Sequence, residues 1–290
     1  MKDKPCSIGL GCVTFGREID KPASFAMMDH AVELGIKMFD TANAYGRGLS
    51  EKIIGEWLAS RAGRTPVVIA TKLLPPYTPG QIEESIDESL RRLGTDSIDI
   101  LYMHRWDPSC ENVEGLTALG NLQRKGKVNA LGASNFSAIQ LGRLLKLQSH
   151  QGLAQIRFAQ NNHNLAVSDL TPEFKAVCAA MSVEIVTYSP LGAGFLTGKH
   201  ERAVAPGSRF DLMPAHQDVY FQEASFKRLR RLQAIATRTG YTPAHLALAW
   251  ALHQPVATVL VGGRTPAHLD QAFEALSFKD THLFAELEGK

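Results

Sequence analysis

Residues 98–104 read "IDILYMH", an apolar and β-branched run that ends in a histidine and is followed by a helical pattern over 112–124. A strand followed by a helix within about thirty residues is the unit from which parallel sheets are built. The same unit recurs on both sides of this stretch. We predict strands near 7–11, 36–40, 67–71, 98–103, 128–132, 155–159, 184–188 and 258–261.

Helical patterns separate these strands and complete the alternation. They cover 22–34, 50–61, 79–93, 112–124, 136–147, 170–182, 224–239, 243–253 and 265–276. Two helices start at a threonine followed by proline, Thr78–Pro79 and Thr171–Pro172, which is typical of a helix N-terminus. The alternation predicts an α/β fold, a (β/α)8 TIM barrel forming a single domain over 1–290, with a doubly wound open sheet as the alternative.

The stretch 192–223 is rich in Gly, Pro and aromatic residues and contains no predicted strand or helix. Connections of this length inside a compact domain usually carry a function. We therefore predict that this insertion is a functional loop.

Composition and charge exclude several classes of protein. The chain has 290 residues, of which 44% are hydrophobic and 21% are charged, and its net charge is +2. These values are ordinary for a globular protein and favour no disordered or polyanion-binding class, so we predict no nucleic-acid partner. The basic run "KRLRRL" at 227–232 is interpreted as the solvated face of a helix.

The sequence shows no signal for a membrane, a disulfide or a metal site. There is no apolar run of eighteen residues and no signal-peptide core at the N-terminus, so we predict a cytoplasmic protein without a membrane partner. The four cysteines, Cys6, Cys12, Cys110 and Cys178, are far apart and lack a C-x-x-C pair, which predicts reduced thiols and no protein-bound metal. We expect a monomer or a small homo-oligomer.

The residues that follow each predicted strand are the candidates for chemistry, because active sites of barrels lie at the carboxyl ends of the strands. Taken singly, each has an ordinary structural explanation, such as a helix cap. Together they form a ring of ionisable and amide groups that a purely structural barrel does not need. In chain order they are Thr14, Phe15, Asp40, Tyr45, Lys72, His104, Ser134, Asn135, Gln160, Asn161, Tyr188, Ser189, Gly262, Gly263 and Arg264.

The early stretch "GLGCVTFG", residues 9–16, looks like a dinucleotide-binding fingerprint with Asp40 as its acidic partner. The fingerprint requires glycine three residues after its second glycine, and Thr14 stands there. We therefore predict that phosphates are not bound by these glycines.

Seven stretches, in order and at strand ends, resemble the aldo-keto reductase family over almost the whole chain. They are "FDTANAYG" (39–46), "ATK" (70–72), "LYMHRWD" (101–107), "LGASNFS" (131–137), "AQNNHNL" (159–165), "YSPLGAGFLTGK" (188–199) and "LVGGRTPAHLDQAF" (260–273). The pattern is similar to the branch that includes bacterial sugar-type reductases and potassium-channel β subunits. The resemblance implies a barrel enzyme that reduces an aldehyde or ketone with NADPH.

The resemblance also implies a catalytic tetrad of Asp40, Tyr45, Lys72 and His104. Tyr45 would donate the proton, and a charged Lys72 beside it would lower the pKa of its hydroxyl. Asp40 would keep Lys72 protonated and oriented, and His104 would donate a hydrogen bond to the substrate oxygen.

The predicted cofactor, NADP(H), would be bound in an extended form along the rim. Thr14, Phe15 and Asp40 would lie at the nicotinamide end, where Ser134, Asn135 and Gln160 would pair with the carboxamide and Tyr188 would stack on the ring. Backbone amides of two segments would hold the phosphates, and a basic helix entry would meet the 2′-phosphate. These residues are Ser189, Leu191, Gly194, Leu196, Lys199, Gly262, Gly263, Arg264, His268 and Gln271.

The candidate substrate-contacting residues are Tyr45, His104, Arg105, Trp106, Tyr77 and Arg209, with Phe15, Phe195 and Tyr220 on rim loops. Arginines with an aromatic wall favour a hydroxylated or anionic aldehyde, so sugar aldehydes and small ketoaldehydes are the expected substrates. Two alternatives remain: a barrel lyase in which Lys72 forms a Schiff base, and a non-catalytic regulatory subunit that binds NADP(H).

Overall fold

The computed structural model describes residues 6–61, 67–200 and 203–290, and within these ranges eight parallel strands close into a barrel. Each strand pairs with the next along the chain, and the last pairs with the first through Ser7 and Thr258. The strands are β1 Ser7–Gly11, β2 Met38–Asp40, β3 Val68–Leu73, β4 Ile98–Met103, β5 Val128–Ser134, β6 Ile156–Asn162, β7 Glu184–Tyr188 and β8 Thr258–Val261. The predicted TIM barrel is confirmed, and the open-sheet alternative is wrong.

Helices cover the outside of the barrel. In the same ranges they are α1 Lys21–Glu33, α2 Leu49–Ser60, α3 Pro79–Leu93, α4 Val113–Arg124, α5 Ala138–His150, α6 Pro172–Ala180, α7 Arg209–Leu212, α8 Ala215–Tyr220, α9 Glu223–Thr239, α10 Pro243–Leu252, α11 Ala267–Leu276 and α12 Leu283–Glu288. Short 3₁₀ segments lie at Tyr45–Gly48, Pro108–Glu111 and Gly192–Thr197. Both helices predicted to start at a threonine followed by proline do so, but only one threonine acts as a cap through its side chain. The Thr171 side chain accepts a hydrogen bond from the Phe174 N–H at the start of α6. The Thr78 side chain makes no such bond at the start of α3.

Several predicted strand ends are wrong by a few residues. β3, β5 and β6 continue past the predicted ends at 71, 132 and 159, because their backbones remain paired with the neighbouring strands through Leu73, Ser134 and Asn162. Lys72, Ser134 and Gln160 are therefore strand residues whose backbones are held rigidly. The predicted strand 36–40 is shorter, since it begins at Met38.

The insertion 192–223 is not a plain loop, because it contains the 3₁₀ segment Gly192–Thr197 and the short helices α7 and α8. Phe210, Tyr220 and Phe195 fold inward and form an aromatic cluster beneath it. The apolar side chains of this insertion join the main hydrophobic core, which sequence periodicity did not reveal. Helix α12, near the end of the chain, was not predicted either.

Side chains pack together inside the barrel, below the ends of the strands. Ala70, Ile100 and Tyr102 pack there with Met38 and Phe158. Gly132 leaves room for the Tyr102 ring, since a Cβ atom at Gly132 would lie 2.3 Å from Cδ1 of the ring. This packing forms the floor beneath the upper rim.

The remaining sequence interpretations can be compared with the described residues. In the "KRLRRL" run, Leu229 and Leu232 are buried while Lys227, Arg228 and Arg230 are exposed, so the run is an amphipathic helix with a solvated basic face. All four cysteines are buried and free. Among the residues described, we find no helix with both the length and the apolar character needed to span a bilayer.

Candidate active site

A cleft of about 780 Å³ opens at the carboxyl ends of the strands, and its walls come from every strand end and from the insertion. It brings together most of the residues predicted from the sequence. These are Thr14, Asp40, Tyr45, Lys72, His104, Arg105, Ser134, Asn135, Gln160, Tyr188, Ser189, Leu191, Gly194, Lys199, Arg209, Gly262, Gly263, Arg264, His268 and Gln271. The cleft therefore joins residues separated by more than two hundred positions in the chain.

A buried ion pair lies at the bottom of the cleft. The ammonium of Lys72, at the end of β3, donates to Asp40 Oδ1 and also to the carbonyl of Thr41 at 2.8 Å. The second carboxylate oxygen of Asp40 accepts from Gln160 Nε2 at 2.7 Å. The side chain of Lys72 is 1% exposed, so this charge is satisfied entirely by the protein.

Tyr45 lies directly against this pair. It begins the 3₁₀ segment after β2, where Gly46 and Arg47 adopt left-handed backbone angles and turn the chain back over the barrel. The Lys72 Nζ lies 5.0 Å from the centre of the Tyr45 ring, and the His104 ring meets the Tyr45 ring edge-on at 5.8 Å. The four residues predicted as a tetrad therefore meet at one place.

Burial and charge act in opposite directions on these groups. Burial would lower the pKa of Lys72, but the charges of Asp40 and Tyr45 outweigh it and raise that pKa, so Lys72 remains an ammonium. For Tyr45, burial raises the pKa and Lys72 lowers it, with burial the larger effect. The expected lowering of the Tyr45 pKa is therefore wrong as a net effect, although Lys72 acts in the predicted direction.

His104 is neutral in this environment. Burial, followed by the charges of Lys72 and Arg105, lowers its pKa to about 3. A neutral imidazole still carries one N–H and can donate a hydrogen bond without adding charge.

Hydrogen bonds hold the amide side chain of Asn135 on the far wall of the cleft. Asn135 has a left-handed backbone, its Oδ1 accepts from the Tyr188 hydroxyl at 2.6 Å, and its Nδ2 donates to the His104 carbonyl at 2.9 Å. These bonds fix the Tyr188 ring at the edge of the cleft. Ser134 lies beside Asn135 on the same wall.

The other end of the cleft concentrates positive charge. Lys199 follows a loop in which Ser189, Ala193 and Gly194 have left-handed backbones, and Arg264 lies just before α11. Lys199 and Arg264 line the same cleft, and burial together with the charge of Arg264 lowers the pKa of Lys199. Neither forms an ion pair with a carboxylate of the described residues, and Arg264 donates to the Gly207 carbonyl at 2.7 Å. Two cations that line one cleft and pair with no described carboxylate suit a phosphate.

Three aromatic residues that were predicted to contact the cofactor or the substrate do not line the cleft, because their side chains pack against the core. Phe15 is fully buried in the core, since its segment turns inward and pairs with Ile19. Tyr77 is also buried, and its hydroxyl donates to the Arg105 carbonyl at 2.8 Å, so it braces the loop after β4. Trp106 packs against the core and does not line the cleft.

Three further predicted residues belong to the insertion and its base. Phe195 and Tyr220 stack at 6.1 Å within the aromatic cluster, away from the cleft. Leu196 is buried, and its backbone N–H donates to the Leu191 carbonyl, so it is not free to bind a phosphate. All three stabilise the insertion and do not contact the cleft.

Sequence reasoning missed a polar cluster in the cleft wall. Arg17 and Glu18, from the loop after β1, meet Arg209, Met213 and His216 from the insertion. The only signal in the sequence was that two charged residues, Arg17 and Glu18, follow the first strand and its turn. Their partners in the insertion lie about two hundred residues further along the chain, so local sequence could not predict the contact.

Comparisons with known proteins agree with this geometry. The family model described as "Aldo/keto reductase family" matches residues 7–286. The protein Tas of Escherichia coli is 30% identical over 98% of this chain and 93% of its own length. A putative voltage-gated potassium channel subunit beta of Schizosaccharomyces pombe is 29% identical, over 97% of this chain and 86% of its own.

A solved structure shows the same fold. The glycerol dehydrogenase of Gluconobacter oxydans superposes with a TM-score of 0.78 at 25% identity, covering 98% of this chain and 90% of that one. With a closed barrel, a buried Asp–Lys–Tyr–His group and a family match over nearly all of its length, the chain belongs to the aldo/keto reductase family, a family of oxidoreductases that act on carbonyl compounds.

Proposed function

We propose that this protein reduces an aldehyde or ketone to an alcohol with NADPH, and that Tyr45 donates the proton. The observation that carries the proposal is the buried contact of Tyr45 with the charged Lys72–Asp40 pair at the bottom of the cleft. Such a pair next to a phenol stabilises the phenolate that remains after proton transfer.

The residues present fit a nicotinamide cofactor. The cations Lys199 and Arg264, which form no ion pair with a carboxylate of the described residues, and the N-terminus of α11 suit its phosphates. Ser134, Gln160 and Tyr188 suit the nicotinamide end. A relative in Schizosaccharomyces pombe, 28% identical over 94% of this chain, is named aldo-keto reductase yakc [NADP(+)]. The bound cofactor would supply hydride to the carbonyl carbon.

The side chains of this chain would manage the proton and the developing charge. Tyr45 holds its proton at neutral pH, because burial raises its pKa, and would release it to the substrate oxygen as negative charge develops there. Lys72 remains charged and stabilises the resulting phenolate, while Asp40 and Thr41 hold Lys72 in place. His104, neutral and at the edge of the Tyr45 ring, would donate a second hydrogen bond to the same oxygen.

The lyase alternative is not favoured by this site. A Schiff base requires a neutral lysine, and the Asp40 carboxylate keeps Lys72 in its charged form. A regulatory role that only binds NADP(H) would use the same cleft, and measurement of turnover distinguishes the two. Sugar aldehydes and small ketoaldehydes, and a cytoplasmic location, stay predictions.

The choice of cofactor can be tested at Arg264. Arg264→Ala should weaken NADPH binding by roughly ten- to a hundredfold and leave NADH binding nearly unchanged, because a charge-assisted hydrogen bond contributes about 1.5–3 kcal/mol. Dissociation constants for both cofactors at low and high salt would measure this, and the loss should shrink at high salt.

An unchanged NADPH affinity would mean that other residues hold the 2′-phosphate. His268 would be examined next, although its Nδ1 lies 2.9 Å from the Thr265 hydroxyl within its own turn. If Arg264→Ala weakens NADPH and NADH binding equally, the role of Arg264 is structural: it holds the insertion through its hydrogen bond to the Gly207 carbonyl.

The protonation state of His104 predicts the pH profile. With a pKa of about 3, His104 stays neutral throughout the working range, so kcat/KM for reduction should show no step near the ordinary histidine pKa of about 6.5. Rates measured from pH 5 to 9 for the wild type and for His104→Gln would check this. If kcat/KM of the wild type changes with an apparent pKa near 6.5 and this change is absent in His104→Gln, then His104 titrates in the working range and is not always neutral.

A further inference from the structure

Helix α2 begins with two buried polar side chains, Ser50 and Glu51, to which the proposed function gives no role. Both residues are 0% exposed. A buried carboxylate needs hydrogen-bond or charge partners. The Glu51 Oε1 accepts from the Thr71 hydroxyl at 2.7 Å, and its Oε2 accepts from Arg92 Nε at 2.7 Å. Glu51 therefore joins α2 to both β3 and α3, and we refer to Ser50 and Glu51 as the α2 pair.

Thr71 is the residue next to Lys72 on β3. Successive side chains of a strand point to opposite faces of the sheet. Lys72 points into the barrel, where its ammonium donates to Asp40. Thr71 points outward to the helices, where its hydroxyl donates to Glu51. The bond to Glu51 therefore holds the stretch of backbone from which the Lys72 side chain extends.

Ser50 acts at the other end of the Lys72 side chain. Its hydroxyl donates to the Cys12 carbonyl at 2.9 Å and lies 2.8 Å from the Thr41 hydroxyl. A serine hydroxyl has a single hydrogen, so the Thr41 hydroxyl is the donor in the second contact. The Thr41 carbonyl accepts from the Lys72 ammonium at 2.8 Å. Ser50 therefore holds the residue to which the ammonium is bonded.

Tyr45 is attached to the same turn of helix. The 3₁₀ segment that begins at Tyr45 leads directly into α2. The Arg92 side chain packs against this segment at Gly48, which has a φ of +89°, and a Cβ atom there would lie 2.9 Å from Arg92 Cδ. Glu51 holds that arginine in place. The positions of Tyr45 and of Lys72 therefore both depend on the first turn of α2.

We propose that the α2 pair positions the tetrad: it sets the distance between the Tyr45 hydroxyl and the Lys72 ammonium, because both groups are held to the first turn of α2. This inference rests on the proposed function. The attraction between an ammonium and a developing phenolate falls as they separate, and a misplacement of about 1 Å can cost about 10²-fold in rate. The α2 pair lies behind the wall of the cleft and does not line it, so it acts only through the residues it holds.

Thr71→Val tests the proposal, since valine keeps the shape of the side chain and lacks the hydroxyl that donates to Glu51. Single-turnover reduction of glyceraldehyde and of methylglyoxal by the NADPH complex should slow at least tenfold. KM for each aldehyde and the NADPH dissociation constant should stay within threefold of the wild type. Thr71→Ser restores the hydroxyl and should recover the rate to within threefold. Ser50→Ala, which removes the acceptor of the Thr41 hydroxyl, should slow the reaction as Thr71→Val does.

Glu51→Gln and Glu88→Gln form a matched pair, because both carboxylates accept from Arg92. Glu88 is 46% exposed, and its ion pairs, to Arg91 and Arg92, lie within α3. Glu51→Gln should slow single-turnover reduction at least tenfold, whereas Glu88→Gln should keep the wild-type rate. Thermal unfolding shows which variants fold. Glu51→Gln and Thr71→Val alter opposite ends of one bond, so either of them carries the test if the other does not fold.

A spectroscopic signal from Tyr45 separates this inference from the proposed function. In protein labelled with ¹³C at the tyrosine Cζ, the Tyr45 signal is the one that Tyr45→Phe removes. Its chemical shift at neutral pH depends on the charge beside the hydroxyl and requires no turnover. The signal should move by more than its linewidth in Thr71→Val, Ser50→Ala and Glu51→Gln. It should keep the wild-type position in Thr71→Ser and Glu88→Gln.

The outcomes divide as follows. If the wild type reduces neither aldehyde, the reductase proposal fails and the Tyr45 signal alone decides the positioning role. If it does reduce them, a normal rate or an unmoved signal in the folded Thr71→Val and Glu51→Gln variants would overturn the inference, because the α2 pair would then only stabilise the fold. A loss that arises through KM or NADPH affinity would also overturn it, since the pair would then shape the cleft and not the tetrad.

Discussion

Tyr45→Phe is expected to lower kcat for carbonyl reduction by about 10²–10⁴-fold, the usual contribution of a positioned general acid, while NADPH affinity changes by no more than about threefold. The phenylalanine ring keeps the packing against His104 and Lys72, and only the hydroxyl is lost. Single-turnover reduction and a cofactor titration measure the two quantities separately.

Thermal unfolding provides the control for Tyr45→Phe, because a folded variant with normal cofactor binding isolates the chemical step. Turnover close to the wild-type rate would show that another group supplies the proton. His104 would then be the first residue to examine, since its ring meets the edge of the Tyr45 ring and carries an N–H.

Lys72→Met is expected to affect both activity and stability. Removal of the ammonium leaves the Asp40 carboxylate buried without its charged partner, which costs about 3–5 kcal/mol. Loss of the stabilising charge beside Tyr45 should lower kcat by roughly 10²–10³-fold. Urea unfolding and steady-state kinetics of the same preparation measure both effects.

The double variant Asp40→Leu/Lys72→Met is the matched control for that loss. Apolar residues of similar volume replace the buried pair, so much of the stability should return while activity remains low. Recovery of activity, or a borohydride-stable adduct of an aldehyde on Lys72 in the wild type, would contradict the electrostatic role and favour a Schiff base.

The fold was predictable because each strand and each helix of the barrel has a recognisable pattern of apolar residues in the local sequence. Each strand, such as 98–103, is an apolar run of the right length, and each helix, such as 79–93, has apolar residues at helical spacing. The insertion was not predictable in the same way. Its helices α7 and α8 are four and six residues long, too short to show a period, and their positions depend on the aromatic cluster beneath them.

The site was predictable where residue type and strand end coincide. Asp40, Lys72 and His104 end three neighbouring strands, and parallel strands bring their ends to one rim. Exposure could not be predicted in this way. Tyr77 and Phe15 have the residue type expected of a binding wall, yet their side chains point into the core, because the direction of a loop side chain depends on its tertiary neighbours.

The sequence by itself determined the barrel and placed Asp40, Lys72 and His104 on one rim, because both follow from short-range pattern and parallel topology, whereas the tetrad with Tyr45 was implied by the family resemblance. Only the tertiary structure decided which distant charges pair. Glu18 and Arg209 are 191 residues apart, and their contact has no counterpart in local sequence. The same holds for the protonation of Tyr45 and His104, since burial sets their pKa values and burial is a property of the folded chain.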